Sequence, residues 1–143
     1  MSNEFYALNS VRLCIDDTIN GIKGRAYTPL CDKPLTFNDF GRLIIDLDQI
    51  FDKNGYPQAF TDTRSFDSRP EYYNRYKGQP SAKLAAGEIL SETGAIATFD
   101  MVINSRRSSS WQGILFDELR NRVGSFTGEV ELLATIDKYI LEM

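Results

Sequence analysis

The sequence predicts a single α+β domain over residues 1–143, in which two hairpin-then-helix units share one mainly antiparallel sheet and lay both helices on one face. Three observations carry that prediction. Two stretches are amphipathic at helical spacing, alternating strand-like runs precede them, and the two halves correspond when the chain is shifted by 89 residues. The units span approximately 9–55 and 96–143, and a strand with a long excursion fills 56–95 between them.

Val11 to Ile15 alternates and runs toward Asn20-Gly21, the dipeptide best suited to a tight hairpin turn, so a return strand is expected over 22–30. A helix is expected over 37–53, with Phe37, Phe40, Leu43, Ile44, Leu47, Ile50 and Phe51 on one stripe. Thr36 stands at the N-cap position with Asp39 three residues on, and Asn54-Gly55 before Pro57 supplies the stop. Gln58 to Phe66 reads as a strand. A short helix through Leu90, weakened by Gly87, is expected with Ser81 as its cap. Ile96 to Asn104 carries Phe99, Met101 and Ile103 on one side, then turns through a polar run into a strand over Trp111 to Leu119. A last helix is expected over 126–141, from Phe126, Val130, Leu133, Ile136, Tyr139 and Ile140, with Ser125 as cap.

The shift of 89 lays Gly24 on Gly113, Leu30 on Leu119, Phe37 on Phe126, Leu43 on Leu132 and Asp48 on Asp137. Five of the 30 positions from Gly24 to Lys53 are identical, and the caps and core positions align together. Neither unit alone covers its apolar helix stripe, which is the physical reason to join them in one sheet.

Composition narrows the function classes. The chain has no histidine, which removes the commonest general base and metal ligand. Cys14 and Cys31 are its two cysteines, too few for a thiolate zinc site or a disulfide framework, so buried thiols in a reducing cytoplasm are expected. No apolar run is long enough to span a membrane, and the N-terminus lacks a leader pattern. The net charge of −4 disfavours a nucleic-acid polymer as partner. The charge is uneven, however: five basic residues from Arg64 to Lys83 face two acidic ones, and such an island suits a small anion.

Pro57-Gln58-Ala59 before Arg64-Ser65-Phe66, and Thr98-Phe99 leading to Ser110-Trp111-Gln112-Gly113, resemble a family of small uncharacterised proteins from anaerobic gut bacteria. Tyr27-Thr28-Pro29 and Ile50-Phe51-Asp52 share the likeness. In that family the turn before Trp-Gln-Gly reads Arg-Gln-Asn, where this chain has Arg106-Arg107-Ser108-Ser109-Ser110. The resemblance implies architecture and Trp111 as a family feature; it brings no activity with it.

Two constellations could bind. Arg106, Arg107, Ser108 and Ser109 put guanidiniums and hydroxyls beside Trp111, the combination that forks onto a phosphate and stacks on a flat ring. The plainer alternative is a solvated hairpin loop followed by one core tryptophan. In the excursion 67–94, Tyr72, Tyr73 and Tyr76 interleave with Arg69, Arg75 and Lys77, which serves nucleotides and protein interfaces alike. The alternative there is tyrosines packed on a sheet edge. Asp46, Asp48 and Asp52, with Asp16 and Asp17, lack a calcium-loop spacing and read as a solvated helix face.

The expectation is a non-catalytic binding module for a small phosphate-bearing molecule, a nucleotide or nucleotide-derived signal, held by the Arg106–Trp111 turn and the tyrosine-rich excursion. Sequestering a signal would be consistent with a phage or host-regulatory role. The alternative is a protein–protein interaction module, an inhibitor or adaptor, docking through 67–94. An enzyme ranks third. No cofactor or metal is implied, and sheet edges leave room for a homo-oligomer.

Overall fold

The structure, a computed structural model, describes residues 6–56, 59–60, 81–107 and 110–143, with the backbone alone at 59, 60 and 107. Ten elements follow in order: β1 (Ser10–Asp17), β2 (Lys23–Tyr27), β3 (Leu35–Phe37), α1 (Phe40–Asn54), β4 (Ala59–Phe60), α2 (Ala86–Leu90), β5 (Ala97–Arg107), β6 (Ser110–Asp117), β7 (Arg122–Thr127) and α3 (Glu129–Leu141). The α+β prediction holds. Six strands form an antiparallel sheet in the order β3-β2-β1-β5-β6-β7, and two-residue β4 runs parallel to the end of β5.

Strand alternation sends one set of side chains to each face. Val11, Leu13 and Ile15 of β1 and Phe99, Met101 and Ile103 of β5 point toward the long helices. There they meet Leu43, Leu47 and Phe51 of α1 and Leu132 and Ile136 of α3 in one core. The helices ride on the same face because both depend on that core for their stripes. Asn20 and Gly21 take the positive φ values, 58° and 108°, that the β1–β2 turn requires. Gly55 ends α1 in the left-handed conformation at φ 64°.

Both helices begin later than the sequence suggests, for the same reason. Thr36 and Phe37 belong to β3, and Ser125 and Phe126 belong to β7, so neither Thr36 nor Ser125 is a cap. Asp39 caps α1 by accepting from the Gly41 amide at 3.4 Å, and Gly128 precedes α3. The competing interaction is cross-strand: Phe37 lies opposite Gly24 and Phe126 opposite Gly113. In each case the glycine is needed, because a Cβ on Gly24 or Gly113 would press into the carbonyl oxygen of Cys14 or Val102 on the adjacent strand. At Gly113 the Phe126 ring then covers the vacant position. Each arm of the sheet therefore has three strands rather than two. The duplicated origin of the arms stays an inference from the sequence.

The opposite face is covered in part by residues 81–96. Ile89 of α2 packs with Tyr6, Cys14 and Tyr27, and the Lys83 amide donates to the Pro29 carbonyl at 2.7 Å. Ser81 is not the cap of α2; Ala85 is. The described end of the excursion thus serves the fold itself. Over β5 and β6 on this face, Val102, Ile114 and Phe116 are only half-buried. No helix among the described residues is long and apolar enough to cross a membrane.

Candidate functional site

The sequence-predicted site divides sharply. Ser108, Ser109, Arg69, Tyr72, Tyr73, Arg75, Tyr76 and Lys77 lie outside the described residues, and Arg107 is described by its backbone alone. Arg106 and Trp111 are brought together, in register across β5 and β6, but on the helix-covered face and in the interior. A bulge between Ile103 and Ser105 reverses the phase of β5, so Arg106 rather than Ser105 turns toward α1.

There, Arg106 Nη1 donates to Asp48 Oδ1 at 3.0 Å and Asp52 Oδ1 at 2.9 Å, with its guanidinium 5.3 Å from the Phe51 ring centre. Trp111 Nε1 donates to the same Asp48 oxygen at 3.0 Å, and the indole packs on Phe51. Arg106 is 2% exposed and Trp111 0%. The indole has no face for a solute to stack on, so its role as a stacking platform is overturned and the alternative of a core tryptophan stands. Asp48 and Asp52 keep the solvent contact expected of that helix face, with 31% and 65% of their side chains exposed, while also engaging Arg106. Asp48 and Asp52 sit one turn apart on α1, the spacing that brings two carboxylates to one partner.

On the opposite face a second constellation forms that sequence reasoning missed. Asp100, in the middle of β5, lies directly across from Arg12 in β1. Arg12 Nη1 reaches Asp100 Oδ2 at 3.1 Å and Oδ1 at 3.3 Å, and Arg12 Nε donates to the Glu92 carbonyl at 2.9 Å. The Tyr6 hydroxyl donates to Asp100 Oδ1 at 2.7 Å. Burial, then the neighbouring Asp100 charge, pushes the Tyr6 hydroxyl well above its ordinary range, so it remains a protonated donor. Asp100 betrays itself in the sequence only as a charge in the middle of an alternating strand.

Arg120 completes the set from the β6–β7 turn. Asp117 Oδ1 accepts from the amides of Leu119 and Asn121, both at 2.9 Å, and its carbonyl accepts from the Arg120 amide at 3.0 Å. This bonding holds Arg120 at φ 68°, a conformation that glycine or asparagine adopts more cheaply. The guanidinium leans over the Tyr6 ring at 6.0 Å, and its Nε stays 3.9 Å from Asp100 Oδ2 with half the side chain in solvent.

Tyr6, Ser10, Asp100 and Arg120 border a cavity of about 340 Å³ whose apolar walls are Ala7, Val102 and Phe116. An apolar hollow with a few convergent polar groups is the arrangement small-molecule sites use. Among the described residues, hollows of about 190 and 320 Å³ are also found, and no buried ion pair between described residues stands in their walls. Among the described residues no group of three or more Asp, Glu or Cys side chains is placed to hold a metal ion. Comparison of the chain with protein-family models, with curated proteins and with solved structures found no match.

Proposed function

We propose that the chain is a non-catalytic binding module that holds a small anionic molecule in the cavity between Tyr6, Phe116 and Arg120. The observation that carries this reading is Arg120. A side chain with a costly backbone conformation leans over a hollow with its charge only loosely engaged, and such outliers collect at binding sites. The adjoining ion pair is rigid and buried, so the seat is formed before any ligand arrives. The ligand moves, in this reading, from the interior Arg106–Trp111 pair to the opposite face.

Two free thiols, one of them buried, support a reducing cytoplasmic setting. A protein-docking role is the second reading. Leu119, 79% exposed and next to Arg120 in the β6–β7 turn, favours it.

Thermal melting with inorganic phosphate, nucleoside monophosphates and small carboxylates tests the first reading. Binding to the folded state raises the midpoint by mass action. The rise should vanish in Arg120→Gly and persist in the Arg106→Ala, Arg107→Ala double variant at temperatures where that variant is folded. A panel that leaves the wild-type midpoint unmoved would turn the account toward protein docking.

A further inference from the structure

We infer that the cavity selects a monoanion, a single-ring carboxylate, over a phosphate ester or nucleotide; the inference rests on the cavity being the ligand seat. Charge leads to it, and the hollow of about 340 Å³ offers Val102 and Phe116 as apolar wall for a ring.

The charge is set by four groups from four segments. Arg12 comes from β1, Asp100 from β5, Arg120 from the β6–β7 turn, and Tyr6, which stays neutral, from the residues before β1. Arg12 is committed to Asp100 and the Glu92 carbonyl, so the pair is internally neutral. Arg120 supplies the remaining positive charge, and a guanidinium forks onto the two oxygens of a carboxylate. A phosphate dianion brings a second negative charge to a wall where Asp100 Oδ2 stands 3.9 Å from Arg120 Nε, and that charge is repelled.

The test is an NMR titration of the full chain with benzoate, phenyl phosphate and benzyl alcohol, at pH about 8 and about 5. A phosphate ester sheds its second charge below a pKa of about 6, whereas a carboxylate with a pKa near 4 keeps its single charge at both. Benzoate should bind about tenfold tighter than phenyl phosphate at the higher pH, with the gap narrowing at the lower one. Arg120→Gln should reduce benzoate to the level of benzyl alcohol. Phenyl phosphate binding as tightly as benzoate at pH about 8 overturns the monoanion inference and leaves the cavity as the seat. Benzyl alcohol matching benzoate on the wild type overturns it too, since charge then plays no part. If none of the three shifts Tyr6, Val102 or Phe116, the seat itself is refuted.

Discussion

On the helix-covered face, Arg106 is closed in by Asp48, Asp52 and the Phe51 ring, with Trp111 sharing the Asp48 oxygen. On the opposite face, Arg120 leans over Tyr6 toward Asp100 and keeps half its side chain in water. Both places contain arginine, carboxylate and aromatic side chains, the ingredients of anion recognition. They differ in what the sheet leaves unfilled. Two helix carboxylates satisfy the first guanidinium, and core side chains exclude solvent around it. The second stands in a turn at the edge of a hollow whose carboxylate already belongs to Arg12. Residue types in proximity therefore do not make a site; an unfilled volume and an incompletely satisfied charge do.

Substitutions on the two faces should separate along that line. The largest effect is expected from Asp100→Ala, which strands Arg12 in the interior. Breaking a buried pair at one partner costs about 3–5 kcal/mol, read from urea unfolding. Asp48→Ala should cost less, about 2–3 kcal/mol, because Asp52 still holds Arg106 while the indole N–H loses its acceptor. Its ligand response should survive where the protein is folded. A loss of response with unchanged stability would reverse the roles of the two faces.

Tyr6→Phe comes next. Loss of the hydrogen bond to Asp100 should cost about 1 kcal/mol at neutral pH. The same substitution alters the alkaline limb. Tyr6 keeps its proton in the folded state beyond the usual tyrosine pKa of about 10, so its stabilisation is complete below that value and is lost as pH rises above it. Cys14, pushed up to about 11 by burial, acts in the same direction. Stability of the wild type should fall between pH about 9 and 11, and fall less in Tyr6→Phe. An equal slope in the two proteins would place Tyr6 in contact with solvent.

Arg120→Gly has the smallest expected effect on stability and the sharpest on binding. Relief of the left-handed conformation, worth about 1–2 kcal/mol, outweighs glycine's entropic penalty of about 0.5–1 kcal/mol, so the variant should be slightly more stable while losing its response to anions. A variant both less stable and still responsive would make Arg120 a structural residue.

Much of the framework was legible in the residues. Asn20-Gly21 marks its turn, Gly55 its helix end, and the stripe from Phe40 to Phe51 marks α1; in α3 the expected stripe holds at Ile136, but Val130 is 85% exposed and Leu132 takes the buried place. The strands β3 and β7 were hidden because Phe37 and Phe126 fit a helical stripe as well as a strand, and only their pairing with Gly24 and Gly113 decides between them. The interior fate of Arg106 was hidden by the bulge after Ile103, since alternation extrapolated along β5 turns that side chain to the wrong face. The cavity was hidden by distance along the chain. Tyr6 and Asp100 are 94 residues apart, and no local pattern joins them. The Asp48–Asp52 spacing was visible, but it became informative only once a partner was opposite it.

The chain's single tryptophan gives one indole N–H resonance, which makes the location of binding directly readable. With benzoate added to the wild-type protein, shifts should gather at Tyr6, Ser10, Val102, Phe116 and Arg120 while the Trp111 indole signal holds its position. Movement of that indole signal with the cavity residues undisturbed would contradict the account.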